Sequence, residues 1–347
     1  MNQYLVPDFP LYRMFTLLCA LVLDFLIGDP VFPFHPVRLL GNFAVWAETW
    51  SRRLFRCQFD GSNTTAADTS PLRLRIAGLV AWFVVSLTAV CVPLIIHTLF
   101  KRLGCLPVFL ADSLIIWASF AIKDLVVHAK QVQDGLEQDG DGPPLKGRQA
   151  VSMLVGRDTE KLDTKGVARA CVESIAESSV DSMASPLLYA ALLGPWAALL
   201  YRAINTMDSL FGHKNSRYRY FGWWAARTDD VANFIPARLS GFLTCLFAPL
   251  FGSKVQTALR IFLVYRKTHE SPNAGHPEAA YAGVLDLRLG GPTWYREGLV
   301  EKGWIHPLGK NPAPQDINRA IRLFYLNAAG YNLILCLLLL LSAILHL

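Results

Sequence analysis

Charge is scarce in this sequence. Asp, Glu, Lys and Arg make up 17% of its 347 residues, where a soluble globular chain carries about 25%. Hydrophobic residues reach 53% and mean hydropathy is +0.32, which excludes a disordered or collagen-like chain. Paired cysteines are also lacking. The seven, at 19, 57, 91, 105, 171, 245 and 336, form no CxxC pair and mostly sit in apolar runs. They read as small core hydrophobes in a reduced compartment, not as a zinc site or a disulfide scaffold. Nucleotide-fold and hydrolase signatures (GxxxxGK[ST], GxGxxG after a strand, HExxH, GxSxG) are missing as well. So is the basic helix or aromatic–basic sheet of a nucleic-acid binder, and no nucleic acid is expected as a partner.

What is present is apolar sequence in long stretches. Ile76–Phe100 and Leu323–Leu347 each run 25 residues without Asp, Glu, Lys or Arg, enough to cross a hydrocarbon core of about 30 Å. Leu103–Ile122 is interrupted only by Asp112, and Met14–Gly28 only by Asp24. No small-residue cleavage site follows Gly28, so the first run is a retained helix rather than a signal peptide. The spacing predicts an all-α integral membrane protein, one domain over 1–347. Its spans are expected at 14–28, 76–100, 103–122 and 323–347. Two broken or short runs, 184–201 and 239–252, are expected as partial insertions, giving about four to six membrane helices in all. Residues 58–72 and 134–147, rich in Gly, Pro, Asp, Ser and Thr, are expected as loops.

With four full spans, the polar stretches 129–183, 202–238 and 253–322 share one side and collect most of the Lys and Arg. The positive-inside rule makes that side cytoplasmic. The expected location is the cell inner membrane, multi-pass, with lipid around the spans and helical cytoplasmic loops forming the site. The net charge of +6 also suits an anionic substrate.

Polar residues concentrate between 148 and 238. In Val155-Gly156-Arg157-Asp158-Thr159, Arg and Thr can hold an anionic oxygen, or Asp158 or Thr159 can cap the next helix. Arg169, Glu173, Glu177 and Asp181 are spaced by four, one stripe on a helix. Three acids so placed repel one another. A divalent cation such as Mg²⁺, or nearby Arg and Lys, would relieve that; a solvated face is the plainer reading. Arg202 ends an apolar run and either snorkels or binds an anion. Asn205 and Asp208 can share a ligand or cap the chain, and Lys214 can hold a phosphate as a point charge. In Arg227-Thr-Asp229-Asp230-Val-Ala-Asn233, adjacent acids cannot both face one way, and Asn233 is in reach of either on a helix. Arg227 and Arg238 bracket a phosphate or neutralise the acids. His269 and His276 are seven apart, but Pro272 and Pro277 argue against a regular helix there. From the residues alone the chain is a membrane protein with an Arg- and acid-rich site for an anionic ligand, and a transporter fits equally.

The motif set resembles the CobD/CbiB family, the adenosylcobinamide-phosphate synthases. The resemblance rests on Leu23-Asp24, Gly28-Asp29-Pro30, His35-Pro36-Val37-Arg38 and Gly41, then on Val155–Thr159 and Glu173-Ser174 to Asp181. It continues through Tyr201-Arg202-Ala-Ile-Asn205-Thr206-Met-Asp208-Ser209, Arg227–Asn233, Pro236-Ala237-Arg238, Asn273-Ala-Gly275 and Leu289-Gly290-Gly291. The order is the family's, over about residues 20–325. Ser178, Ser182 and His213 depart from the family's usual Asn, Gly and Tyr.

The resemblance implies an amide ligase acting on small molecules: the corrinoid adenosylcobyric acid, an amino-alcohol phosphate such as (R)-1-amino-2-propanol phosphate, and ATP with Mg²⁺. Activation would pass through an acyl phosphate. Asp229, Asp230, Glu173, Glu177 and His35 are the implied catalytic groups. Arg157, Asp158, Thr159, Arg202, Asn205, Asp208, Lys214, Arg227, Asn233 and Arg238 are the implied substrate or phosphate holders. Glu173, Glu177, Asp181, Asp229 and Asp230 are the implied Mg²⁺ ligands. A homo-oligomer, or association with other cobalamin-pathway enzymes, is a further expectation. A corrinoid transporter or binding protein without ligase activity is the main alternative, and a noncatalytic membrane regulator the third.

Overall fold

The computed structural model describes residues 10–30, 35–57, 70–295 and 298–345. Most of the loop expected at 58–72, and the last two residues of the C-terminal run, lie outside them. Helix dominates, in the order α1 (Pro10–Ile27), α2 (Pro36–Leu54), α3 (Pro71–Leu103), α4 (Cys105–Trp117), α5 (Ile122–Asp139), α6 (Leu145–Val151) and α7 (Thr164–Ser179). A π turn, Val180–Ala184, follows α7. Then come α8 (Ser185–Leu193), α9 (Pro195–Phe211), α10 (Trp223–Ala232), α11 (Phe234–Leu246), α12 (Val255–Tyr265), α13 (Gly275–Leu285) and α14 (Pro314–Leu345). Five of these helices begin on proline, where the missing N–H costs nothing and φ is already helical.

Four stretches are long and apolar enough to cross a membrane: Pro10–Ile27, Pro71–Leu103, Cys105–Asp139 and Pro314–Leu345. They correspond to the four spans expected from sequence, with different limits. The third is interrupted at 118–121, where α4 ends and α5 begins. The run at 184–201 breaks at Gly194, whose φ of +93° closes α8 and opens α9. The run at 239–252 is the end of α11 plus a single 3-10 turn, Ala248–Phe251. The loop expected at 134–147 is mostly helix, since α5 continues to Asp139 and α6 starts at Leu145. Large side chains on the apolar helices stay uncovered, among them Phe25, Phe83, Ile95, Leu338 and Ile344, as helices facing hydrocarbon require.

Contacts group the chain into two compact units: one of residues 1–120, 185–232 and 336–347, the other of 121–184 and 233–335. In the first, α2, α3, α9 and α10 share a core. Ala77, Ala81, Val85 and Ala89 of α3 face Leu40, Ala44 and Ala47 of α2 and Leu199, Ala203 and Met207 of α9. Small residues every fourth position let helix backbones approach closely. Gly78 marks the tightest approach, because a Cβ there would stand 2.0 Å from the carbonyl oxygen of Phe221.

In the second unit α13 is the centre, and every residue from Gly275 to Leu285 is buried. A helix buried all round is ordinarily apolar, yet α13 carries His276 and Glu278. The α7 helix packs beside it, capped by Asp163, which accepts from Gly166 N at 2.7 Å. Beyond α13, two short antiparallel pairs form: β1 (Leu289–Gly290) with β4 (Trp304–Ile305), and β2 (Thr293–Tyr295) with β3 (Gly298–Val300). The sequence reading foresaw no strands. Two- and three-residue pairs are too short to show alternation.

Candidate functional site

All sixteen residues singled out from sequence lie outside the four apolar stretches. They divide between the two units.

In the second unit the organising residue is Glu173. Its carboxylate is buried and accepts from Arg157 Nη2 on one oxygen and from Gly290 N, at 2.7 Å, on the other. Arg169 Nε stands 3.9 Å away and has no hydrogen-bond partner among the described residues. The four-residue spacing brings Arg169 to Glu173, but as the weaker of its two arginine contacts. Gly290 can aim its N–H at Glu173 because its φ is +72°, a conformation that favours glycine. A Cβ there would also meet Gly303 O at 2.7 Å. The charge of Glu173 holds the Arg157 guanidinium above its ordinary pKa against the opposing pull of burial.

Glu177 lies one turn further along α7. Burial, then the charge of Glu173, pushes its carboxyl up, with Arg157 and Lys302 pulling the other way. It is nonetheless exposed. Glu278 of α13 belongs to the same electrostatic group: burial, Glu173 and Glu177 drive its pKa far up, while Arg157 and Lys302 oppose. His269 Nδ1 accepts from Ser271 N at 2.9 Å, so a neutral ring presents its Nε2 proton toward Glu278, 3.9 Å away. Lys302 donates to the Tyr295 hydroxyl at 2.7 Å.

Asp181 leaves the stripe. Steps of four in a helix of 3.6 residues per turn drift by about 40° each, and the π turn begins at Val180. Its Oδ1 accepts from Asn233 Nδ2 at 3.0 Å. Asp158 closes a local turn, accepting from Glu160 N at 3.0 Å, while its own N–H donates to Trp294 O at 3.0 Å. Thr159 sits in the same turn, and Asp163 caps α7 in place of either. Arg238 is spent locally: Nη1 donates to Phe234 O at 2.6 Å and to Asn273 Oδ1 at 3.2 Å. His276, near Arg238, Arg266 and Lys267, is pushed down to about 4, mainly by burial.

In the first unit, His35 is 3% exposed. Its Nε2 lies 2.9 Å from Asp29 Oδ1, and its ring meets Trp117 edge-on at 6.0 Å. Burial lowers its pKa; Asp29 opposes, and Arg202 and Arg38 add to the lowering. Asn205 Nδ2 donates to Asp229 Oδ1 at 3.4 Å, and Arg202 Nη1 reaches Asn205 Oδ1 at 3.5 Å. Arg202 Nε is buried without a partner among the described residues. Asp208 sits one turn beyond Arg202–Asn205 on α9. Arg227 Nη1 stands 3.5 Å from Asp230. Burial raises the Asp230 pKa, with Arg227 and Lys214 opposing.

Among the described residues no group of three or more His, Cys, Asp or Glu is arranged to hold a metal ion. Glu173 already has both oxygens engaged. One or two available carboxylates suit a Mg²⁺ that keeps its waters and arrives on substrate phosphates, not a cage built by the protein.

Sequence reasoning passed over Asp29, Glu278 and Lys302. Asp29 stands inside a string it had singled out, Gly28-Asp29-Pro30, and Glu278 lies two residues beyond His276. Lys302 has no local signal, because the hairpin of β2 and β3 brings it in.

The family model described as CobD/Cbib protein matches residues 17–324. The chain belongs to the CobD/CbiB family. Among its relatives, the cobalamin biosynthesis protein CobD of Clostridium perfringens is 35% identical over 304 residues, 88% of this chain and 91% of the relative. That of Brucella suis is 38% identical over 323 residues, 90% and 93% of the two chains. That of Leptospira interrogans is 38% identical over 276 residues, 80% and 82%. No solved structure matches. Ser178 lies in the last turn of α7 and Ser182 in the π turn, where Ser182 Oγ donates to Ser178 O at 2.6 Å. His213 lies tilted over Tyr218, centroids 6.4 Å apart.

Proposed function

We propose that this chain acts in cobalamin biosynthesis as an amide ligase, joining the carboxylate of adenosylcobyric acid to the amine of (R)-1-amino-2-propanol phosphate or a related amino-alcohol phosphate. The observation that carries the reading is a pair: membership of a family whose members here are named for cobalamin biosynthesis, and sixteen candidate site residues that all lie outside the apolar helices. A transporter would place such residues within its spans.

The chemistry balances with ATP. The corrinoid carboxylate oxygen attacks the γ-phosphorus, forming an acyl phosphate and releasing ADP. The amine nitrogen then attacks the carbonyl carbon. The C–O bond to phosphate breaks, orthophosphate leaves with the original carboxylate oxygen, and the nitrogen loses a proton. Mg²⁺ bound on the nucleotide neutralises phosphate charge. Arg202, Arg227 and Lys214 would meet the phosphate oxygens, with Asp229 and Asp230 nearest to the metal-bearing side. His35, oriented by Asp29, is placed to carry a proton, since a buried neutral imidazole can accept one. The site faces the cytoplasm of an inner membrane in this reading, where the nucleotide is supplied.

The test is turnover by detergent-purified protein with adenosylcobyric acid, aminopropanol phosphate, ATP and Mg²⁺. Amide product and phosphate released in equal amounts support the ligase. Corrinoid binding with no product under any nucleotide or metal condition moves the reading to transport or binding. One observation favours that second reading: Asp112, fully buried in α4, accepts from Tyr12 at 2.7 Å and lies 2.9 Å from His97 Nδ1. Ionisable groups inside membrane helices often mark transport paths.

A further inference from the structure

We propose that α2 docks against the bilayer at the membrane boundary, with its arginine side holding the headgroups of anionic phospholipid. Three stripes run along this helix. Leu40, Ala44, Ala47 and Ser51 are buried, and the first three share a core with α3 and α9. Leu39, Phe43, Trp46, Trp50 and Leu54 recur at helical spacing on a second stripe. Trp46 is 54% exposed and Leu54 56%. Phe43, Trp46 and Trp50 stack in a row, with successive centroids 5.3 and 6.0 Å apart. Arg38, Asn42, Thr49 and Arg53 form the third stripe beside it, and all four are exposed. The acid of α2, Glu48, is buried and accepts from Arg52 at 2.8 Å. The exposed charge of the helix is therefore basic.

The position of α2 says what covers the aromatic stripe. The helix is not among the stretches long and apolar enough to cross a membrane, yet it joins α1 to α3, which are. It shares its core with Ala77, Ala81 and Val85 of α3, where the charge-free run begins just after Arg73 and Arg75. The Arg75 guanidinium lies 5.4 Å from the Trp223 ring, and Trp224 meets Trp223 edge-on at 4.8 Å. Tryptophan with flanking arginine is the signature of a membrane–water boundary. A helix with Trp, Phe and Leu on one side and Arg on the next suits that boundary. Charge complementarity selects the lipid: Arg38 and Arg53, with no exposed acid on the helix, favour an anionic headgroup over a zwitterionic one. An opening for the headgroup lies on the arginine stripe. It is a cavity of about 550 Å³ between α2 and α9, lined by Arg38, Gly41, Asn42, Val45 and Leu210. The Arg38 guanidinium offers forked donors to a phosphate. The Asn42 amide can meet ester or glycerol oxygens, and Val45 and Leu210 border the first methylenes.

The experiment reads tryptophan fluorescence of the full chain in phosphatidylcholine vesicles. A minor fraction of the lipid is either brominated phosphatidylcholine or brominated phosphatidylglycerol, with the bromines near the carboxyl end of the acyl chains. Both lipids are expected to quench wild type, and Trp46→Phe/Trp50→Phe should lose a share of that quenching. Phosphatidylglycerol should reach equal quenching at a fraction about fivefold lower or less, the worth of one arginine near a lipid surface. Arg38→Gln/Arg53→Gln should remove that preference and leave quenching by phosphatidylcholine unchanged. All four side chains are exposed, so the variants should keep the wild-type circular dichroism. Identical quenching in wild type and the tryptophan variant overturns the lipid contact, and a change of oligomeric mass in that variant assigns the stripe to a second copy of the chain instead. Equal quenching by the two lipids, or a preference that survives in the arginine variant, overturns the anionic headgroup. A preference abolished by inorganic phosphate at constant ionic strength does the same, in favour of a soluble anion.

Discussion

Arg157 and Glu173, sixteen residues apart, form a buried ion pair in which the guanidinium donates to a carboxylate whose other oxygen is held by Gly290. The pair joins the Val155–Thr159 string to α7 and to β1, three segments the sequence presents separately. It also redefines Arg157, which is committed to positioning Glu173 before any phosphate arrives. Removing one member of a buried pair typically costs about 3–5 kcal/mol, because the other charge is left uncompensated. Arg157→Ala is therefore expected to destabilise the protein by about 3 kcal/mol in denaturant unfolding. Arg157→Met combined with Glu173→Leu should recover part of that loss. A double variant as unstable as the single one contradicts the pairing.

Gly290→Ala tests the third member of that node. The positive φ and a Cβ placed 2.7 Å from Gly303 O should together cost about 2 kcal/mol. Turnover should fall as well, because the N–H that fixes Glu173 moves. Unchanged stability and activity would mean that the glycine is not needed.

Asp230→Asn and Arg227→Ala probe the first unit. If these side chains stabilise developing charge on phosphate, each should lower kcat by about 10²-fold or more without unfolding the chain, since Arg227 is exposed and the pair stands 3.5 Å apart. Steady-state rates within tenfold of wild type would place the chemistry elsewhere.

Glu278 carries a pH signature. Its pKa is raised by burial, so the folded state favours the protonated form. Stability from this group is fully present below the unfolded value of about 4.3 and is lost as pH rises through the folded value. Glu278→Gln should therefore raise the thermal midpoint at pH 8, with the gain shrinking toward pH 4. A gain of the same size at both ends would contradict the assignment.

His276 runs in the opposite direction. Its pKa falls to about 4 from an ordinary value of about 6.5, so the folded state favours the neutral ring. Its contribution is complete above pH 6.5 and is lost as pH falls toward 4. Thermal midpoints between pH 7 and pH 4 should decline less steeply in His276→Asn; equal slopes would exclude His276 as the cause.

The apolar helices were legible because run length and the absence of charge are local properties, as in Ile76–Phe100. Their breaks were less so. The break at Gly194 was legible in the Gly194-Pro195 pair, but the 118–121 interruption depends on backbone geometry that composition does not encode. Helix α13 was misread: Pro272 and Pro277 argued against a helix near His276, yet Pro277 is the third residue of α13, within the first turn, where an N–H is not required. Glu173 and Glu177 were found through their spacing, and Asp181 was assigned with them although helical drift and the π turn turn it toward Asn233. Glu278 and Lys302 could not have been grouped with them, because packing of α7 against α13 and the β2–β3 hairpin brings them together.

The most direct test of the ligase account follows one oxygen atom. Adenosylcobyric acid labelled with ¹⁸O in the reacting carboxylate is turned over with ATP, Mg²⁺ and aminopropanol phosphate, and the released orthophosphate is analysed by mass spectrometry. Activation as an acyl phosphate predicts one ¹⁸O in each phosphate, with amide product in equal amount. Unlabelled phosphate, or corrinoid recovered unchanged while ATP is consumed, would contradict the account.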